Sequence, residues 1–243
     1  MKQFRIFLFL FPFILFGCRM LSPQHGREVE LVMDNLQLTE LSDSFCNQVS
    51  LRSLSLFNNH LSSLPDSFVK LQNLEVLYLG KNNFTSIPKE LFFLKKLRVL
   101  SMSFNQIDSI PEAIKKMSNL ELLILSNNRL VYVSDSIGML QNLFHLNLER
   151  NQLNTIPETI GNCTRLQLLK LSFNQLESVP DELASCIRLR ELYLYRAGSF
   201  IRLPNSYCGM RFLEYLYIDP LVVLPLCWQT QKTDRLIIRG NDL

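Results

Sequence analysis

The sequence predicts an α/β solenoid in which short parallel strands line a concave side and short helical or 3-10 segments line the convex side. The first observation behind this prediction is a leucine that recurs at Leu51, Leu74 and Leu97 and continues at the same 23-residue step to Leu189. The second is an asparagine eight residues after most of these leucines. Self-similarity at one fixed period is the signature of a repeat architecture.

Each repeat has the same internal pattern, counted here from its first leucine as position one. Positions four and six are also apolar, as in Leu54 and Leu56, and an apolar–proline pair such as Leu64–Pro65 follows. The ninth position is filled by Asn59, Asn82, Asn105, Asn128, Asn151 and Asn174.

These positions have distinct physical roles. Side chains alternate along a strand, so positions four and six face the core, whereas positions three, five and seven face outward on the concave side. An asparagine amide both donates and accepts hydrogen bonds, so it can satisfy the backbone of a turn stacked on identical turns. The proline restricts φ where a short helical segment begins. No single coil can bury both of its faces, so stability depends on stacking.

The pattern resembles the leucine-rich-repeat family, in its 23-residue LxxLxLxxNxLxxLP form. The resemblance covers residues 28–243 and implies a horseshoe-shaped domain of nine coils and a partial tenth. The first coil has Leu36 where the asparagine is expected. After Leu189 the pattern becomes irregular, since Ala197 replaces the asparagine and a residue is inserted near Gly198–Ser199.

Residues 1–17 predict an export signal, because a short basic start is followed by an apolar run too short to span a bilayer as a helix. The run ends in Leu15-Phe16-Gly17-Cys18, which resembles the lipobox of bacterial lipoproteins. That resemblance implies a lipid on Cys18, a tether over residues 18–27, and anchoring in the cell envelope with possible surface exposure. Phe16 departs from the small residue usual there, and an ordinary signal peptide is the alternative.

The residues carry no recognisable catalytic apparatus. The three histidines have no second histidine or cysteine at metal-ligand spacing, and no phosphate-binding glycine loop is present, so we expect no enzyme activity, metal, cofactor or small-molecule substrate. A net charge of +3 gives no electrostatic basis for binding nucleic acid. Cys163 and Cys186 are interpreted as buried apolar residues, with a disulfide between them as the alternative, and a disulfide between Cys208 and Cys227 is a separate hypothesis.

The outward strand positions predict a binding face for a protein partner. An apolar row is interrupted by a histidine, and tyrosines with an adjacent arginine lie on the same face further along the chain. Tyrosine and arginine are frequent in interface hot spots, but cross-strand tyrosine pairs could equally stabilise an end coil. The candidate partner-binding residues are Val76, Tyr78, Val99, Leu122, Ile124, His145, Tyr193, Tyr195, Arg196, Tyr215 and Tyr217.

Three functional hypotheses remain open at this point. The first is a membrane-anchored bacterial lipoprotein that binds a partner protein through its concave face, with a host protein as one candidate. The second is a structural or scaffold protein within the cell envelope. The third is a secreted repeat protein without a lipid.

Overall fold

The structure is a computed structural model of the chain and describes residues 29–230 and 236–240. The predicted export signal, the tether and Cys18 lie outside the described residues. One parallel sheet of ten strands runs through this part of the chain. Its strands are β1 (Val29–Val32), β2 (Leu51–Ser55), β3 (Val76–Tyr78), β4 (Val99–Ser101), β6 (Leu122–Ile124), β8 (His145–Asn147), β9 (Leu168–Lys170), β10 (Glu191–Tyr193), β11 (Tyr215–Tyr217) and β12 (Ile237–Arg239).

The strands pair in chain order, so equivalent positions of successive coils lie side by side. Leu77 pairs with Leu100, for example, and Leu100 with Leu123. Two further strands, β5 (Ser109–Ile110) and β7 (Tyr132–Val133), form a separate two-stranded parallel sheet. The predicted parallel concave sheet is therefore confirmed.

A 3-10 segment lies on the opposite side of each of the first eight coils, and the apolar–proline pairs predict such segments. Pro65 lies immediately before its segment with φ −67° and ψ 148°, and its carbonyl accepts a hydrogen bond from the Phe68 amide at 2.9 Å. The proline thus precedes the segment and is not its first helical residue. The 3-10 segments are Phe45–Asn47, Asp66–Lys70, Lys89–Phe93, Glu112–Lys116, Asp135–Met139, Glu158–Asn162, Asp181–Ser185 and Asn205–Gly209, and one α-helix, α1, spans Leu226–Thr230.

The core lies between the sheet and the 3-10 segments. Leu123 and Leu125, at positions four and six of one coil, are fully buried, and so is Ile114 on the convex side. The same positions of the neighbouring coils are buried in the same way, so the apolar interior is continuous along the solenoid.

The ninth-position asparagines form a ladder of buried amides. In Asn105 the Oδ1 atom accepts a hydrogen bond from the Phe84 amide, and Nδ2 donates to the carbonyls of Leu79 and Met102, all at 3.0 Å. Each amide therefore joins its own coil to the preceding one. Asn59 serves the first coil in the same manner by accepting from Leu36 and Leu38, which explains why that coil needs no ladder asparagine of its own.

A second row of polar side chains joins the coils just before the strands. Asn73, Asn119 and Asn142 donate from Nδ2 to the carbonyl oxygen of the residue 24 positions earlier, at 2.8–3.0 Å. The alternating charges Arg52, Glu75, Arg98 and Glu121 form ion pairs across β2 to β6, with the shortest N–O distance at 2.9 Å. The opposite charges favour pairing of adjacent coils in this register.

We predict that Asn105→Ala lowers the free energy of unfolding by about 2–4 kcal/mol, because it leaves buried backbone groups of two coils without partners. Urea unfolding followed by circular dichroism measures this loss. The matched control is Asn154→Ala, at an exposed position, which should change the stability by less than about 0.5 kcal/mol. Equal losses in the two variants would show that the ladder amide contributes no more to the free energy of unfolding than an exposed asparagine does.

Candidate functional site

The concave face divides into two halves of different chemistry. From β2 to β6 the outward positions three and five carry no charged residue, whereas from β8 to β12 they carry both charges and three tyrosines. The first half comprises Ser53, Ser55, Val76, Tyr78, Val99, Ser101, Leu122 and Ile124. The second half comprises His145, Asn147, Leu168, Lys170, Glu191, Tyr193, Tyr215, Tyr217, Ile237 and Arg239.

The apolar half is built as the sequence predicts. Val76, Val99 and Leu122 are half-buried neighbours on adjacent strands, and Ile124 lies beside them at position five. Tyr78 is 40% exposed, and among the described residues its ring contacts no other ring or cation. An apolar row that its own protein leaves partly open to solvent is a common feature of interaction surfaces.

His145 continues the apolar row, between Leu122 and Leu168. Burial, followed by the positive charge of Lys170, lowers the pKa of its imidazole, while Glu191 acts in the opposite direction. The buried Nε2 atom has no hydrogen-bond partner in residues 29–230 and 236–240. The ring is therefore expected to be neutral at pH 7, which keeps this part of the face uncharged.

The tyrosines at position five form a column with two cations. The rings of Tyr193 and Tyr217 stack with centroids 4.0 Å apart and planes 8° from parallel. Lys170 Nζ lies 4.4 Å from the Tyr193 centroid, and the Arg239 guanidinium carbon lies 6.0 Å from that of Tyr217. Each ring therefore has a neighbour on both faces, and a partner can reach mainly the ring edges and hydroxyls.

A hydrogen bond and an ion pair hold this column in place. The Tyr193 hydroxyl donates to Glu191 Oε2 at 2.8 Å, and Lys170 Nζ lies 3.9 Å from Glu149 Oε2. Burial first, then the hydrogen bonds with Tyr217 and Glu191, raise the pKa of Tyr193. Tyr215 is 6.4 Å from Tyr217, centroid to centroid. This geometry favours a packing role for the tyrosines, one of the two roles that the sequence leaves open.

Tyr195 and Arg196 do not join the other predicted residues. Tyr195 makes an edge-on contact with Phe173 at 5.6 Å, and the Arg196 guanidinium carbon lies 5.5 Å from the Tyr195 centroid. Both residues follow β10, in the turn that leaves the concave face. The eleven candidate residues thus divide into the concave face and a separate turn edge.

The ladder ends beside this turn edge. Ala197 has no amide side chain, and the Leu176 amide instead donates to the Ala197 carbonyl at 2.6 Å. A Cβ on Gly198 would lie 1.9 Å from the Leu176 carbonyl oxygen, so only glycine fits there. An open cleft of about 1090 Å³ lies between this turn and the next, lined by Tyr195, Arg196 and the exposed Phe200 and Leu221.

The cysteines follow the interpretations made from the sequence. Cys208 and Cys227 form a disulfide with their Cα atoms 6.0 Å apart, which joins the last 3-10 segment to α1. Cys163 and Cys186 are free and buried, and burial raises the pKa of both thiols to about 12. They are therefore protonated at neutral pH and pack as small apolar side chains.

Two features are absent from the part of the chain that the structure describes. No group of three or more histidine, cysteine or acidic side chains there could hold a metal ion. No helix there is both long enough and apolar enough to cross a bilayer.

Family models of leucine-rich repeats match residues 49–92, 72–130 and 118–176, so together they cover residues 49–176, more than half of the chain. A comparison with curated proteins found no match.

Solved structures share the fold. A leucine-rich-repeat protein of Leptospira interrogans is 28% identical, with a TM-score of 0.70, over 86% of this chain and 60% of its own. An internalin of Listeria monocytogenes is 18% identical, with a TM-score of 0.71, over 84% of this chain and 58% of its own, and shows the fold alone. A plant peptide hormone receptor, solved in complex with RGF2, is 25% identical, with a TM-score of 0.56, over 76% of this chain and 34% of its own. The chain thus spans 60% or less of the length of each of these proteins.

We predict that Tyr193→Ser lowers the free energy of unfolding by about 1–3 kcal/mol, because it removes the ring between Lys170 and Tyr217. Tyr193→Phe keeps the stack and should lose less than about 1.5 kcal/mol, for one hydrogen bond. Tyr78→Ser, at an outward position without a ring partner, is the control and should be close to neutral. Thermal and urea unfolding measure all three. A Tyr193→Ser loss no larger than that of Tyr78→Ser would rule out the packing role.

Proposed function

Because the chain belongs to the leucine-rich-repeat family, whose repeat domains are generally non-enzymatic protein-interaction modules, we propose that it binds a partner protein through its concave face. We also propose that it does so as an exported lipoprotein held to a membrane of a bacterial cell envelope.

The observation that carries the binding proposal is the uncharged apolar row on β3, β4 and β6. Val76, Val99 and Leu122 stand side by side and remain partly open to solvent, although nothing in their own fold requires apolar residues at outward positions. Burying such a row against a partner would be favourable, at about 25 cal/mol for each Å² of apolar surface removed from water. The adjoining charged half would then favour a particular orientation of the partner.

Export is supported by two independent features. Residues 1–17 have the composition of an export signal that ends in the lipobox-like sequence before Cys18. The Cys208–Cys227 disulfide is of the kind that persists in oxidising compartments outside the cytosol. The plant peptide hormone receptor that shares the fold was solved in complex with RGF2, which is consistent with a protein or peptide partner here.

Two other functions are each consistent with one of these features, the lipid anchor or the binding face. A scaffold within the envelope would share the lipid anchor but would have no partner outside the cell. A secreted repeat protein would share the binding face but would carry no lipid. The partner's location and the chemistry at Cys18 therefore distinguish the three.

The concave face is tested by the double variant Val99→Ser/Leu122→Ser. Proximity labelling on intact cells would identify proteins near the wild-type domain, and biolayer interferometry would measure their affinity. We expect the double variant to bind at least about tenfold more weakly, because two apolar contacts are lost. The control Met139→Ser/Ile187→Ser removes two exposed apolar side chains outside the concave face and should retain full affinity. Equal losses in both variants, or no partner for the wild type, would contradict the proposal.

The anchor is tested by mass spectrometry of the mature N-terminus after expression in a bacterium that processes lipoproteins. We expect the mature chain to begin at Cys18 with a diacylglyceryl mass, and Cys18→Ser to abolish both processing and membrane association. Cleavage at another residue without a lipid would favour the secreted form. Protease treatment of intact cells then separates a surface protein, which is cut, from an internal scaffold, which is protected.

A further inference from the structure

In the seven coils whose first leucines run from Leu51 to Leu189, the turns that follow the concave strands carry an unusual set of residues at position eight, which we call the turn row. All of them have left-handed backbone, with φ between 51° and 58°. The turn row consists of Asn58, Lys81, Phe104, Asn127, Arg150, Phe173 and Arg196. Asparagine adopts this conformation readily, whereas other side chains with a Cβ do so at an energetic cost.

Burial does not compensate for this cost at Phe104. Its ring is 51% exposed, so much of its apolar surface still faces water. Phe173 is partly buried, but its contacts are with other turn residues, Tyr195 and Arg150, and not with the core. Asn127 occupies the equivalent position of the next coil after Phe104 with the same φ of 56°. Asparagine therefore fits the backbone at this position, and the presence of phenylalanine instead indicates a functional role for the ring.

The cations of the turn row lie near aromatic rings. Lys81 Nζ is 5.3 Å from the Phe57 centroid and 5.9 Å from that of Phe104. The Arg150 guanidinium carbon is 4.1 Å from the Phe173 centroid. Among residues 29–230 and 236–240, no carboxylate forms a salt bridge with Lys81, Arg150 or Arg196. Their charges are thus positioned by rings and remain able to bind an anionic group.

We propose that the turn row is a docking surface for an extended, acidic segment of a partner protein. Carboxylates of that segment pair with Lys81, Arg150 and Arg196, and its apolar side chains contact Phe104 and Phe173. This rests on the proposed function only in taking the partner to be a protein, since none of these residues belongs to the apolar row.

The spacing of the cations specifies the segment further. Lys81 and Arg150 are three coils apart and Arg150 and Arg196 two, or about 14 Å and about 10 Å at 4.8 Å for each strand. An extended chain rises about 3.3 Å per residue and its side chains alternate, so acidic residues that face the row would be about four and then about two or four positions apart. The cleft beside Tyr195, with Phe200 and Leu221 exposed at 63% and 60%, lies at the end of the row and can accept a larger apolar side chain.

Charge around the turn row favours a polypeptide over a uniformly anionic surface such as a lipid bilayer. Glu149 precedes Arg150 directly, and Asp219 lies against Arg196, whose amide donates to Asp219 Oδ2 at 3.0 Å. These carboxylates would repel a continuous layer of phosphates. A polypeptide can place its own carboxylates at the cations and neutral residues opposite Glu149 and Asp219.

Selection from a random peptide library tests the proposal without knowledge of the partner. The wild-type domain and Lys81→Gln/Arg150→Gln/Arg196→Gln would be used as separate baits at low ionic strength, followed by fluorescence anisotropy with the enriched peptides. We expect the wild type to enrich peptides with acidic residues at the two spacings above. The triple variant should bind them at least about tenfold more weakly, through the loss of three exposed ion pairs. The control Lys70→Gln/Arg188→Gln/Arg211→Gln removes the same charge from exposed sites outside the row and should retain full affinity.

The role of the phenylalanine rings requires a measurement of stability as well as affinity, because a ring that only stabilised the fold would also reduce peptide binding when removed. Phe104→Asn should weaken the enriched peptides severalfold while leaving the melting temperature unchanged or higher. The proposal is overturned if that variant loses several degrees of melting temperature, or if both baits enrich the same peptides or none. It is also overturned if phosphatidylglycerol vesicles bind the wild type and lose affinity for the triple variant while no acidic peptide is enriched. Val99→Ser/Leu122→Ser should keep the peptide affinity, so a failure of the concave-face proposal is recognisable on its own.

Discussion

The amide of the ninth-position asparagine is the interaction on which the rest of the structure depends. A turn that leaves a strand inside a stack of coils buries backbone groups that water cannot reach, and each of these groups must find a partner. In Asn105 one amide supplies partners in its own coil and in the coil before. The turn can therefore be tight and nearly identical in every coil that carries this asparagine. The parallel register of the strands and the continuous leucine core both follow from this repetition.

The same repetition leaves a limited number of positions free to vary, and these positions carry the binding chemistry. Positions three and five face outward, so they can be valine on β4 and tyrosine on β10 without loss of core packing. Position eight must adopt left-handed φ but points away from the core, so it accepts asparagine, lysine, arginine or phenylalanine at differing energetic cost. Because equivalent positions lie side by side, single substitutions combine into rows along the solenoid. The surface is thus a set of parallel rows with independent chemistry.

Periodicity is sufficient to predict the sheet, the buried positions and the asparagine ladder, because each depends on residues that recur in one register. Contacts between two particular side chains cannot be predicted from periodicity. The sequence places Tyr193 and Tyr217 on one face, but only the structure shows that their rings stack and so limit access to each other. Tyr195 belongs to the same strand by counting, yet it packs on Phe173 in the turn. The left-handed φ of Phe104 also depends on the turn geometry, although its position directly before a ladder asparagine was a signal that could have indicated it.

The end of the ladder shows how the two requirements, stacking and recognition, are met in one molecule. Ala197 has no side-chain amide, and its carbonyl accepts a backbone hydrogen bond from the Leu176 amide instead. Position 198 must then be glycine, because a Cβ there would clash with the Leu176 carbonyl oxygen. The cleft beside Tyr195 lies at this point, between the turn that contains Arg196 and the turn that contains Asp219. Other interactions hold the coils beside the cleft together, namely the tyrosine column on the concave side and the Cys208–Cys227 disulfide on the convex side. The solenoid is therefore irregular at the turns where the ladder ends, and Phe200 and Leu221 are exposed beside the cleft there.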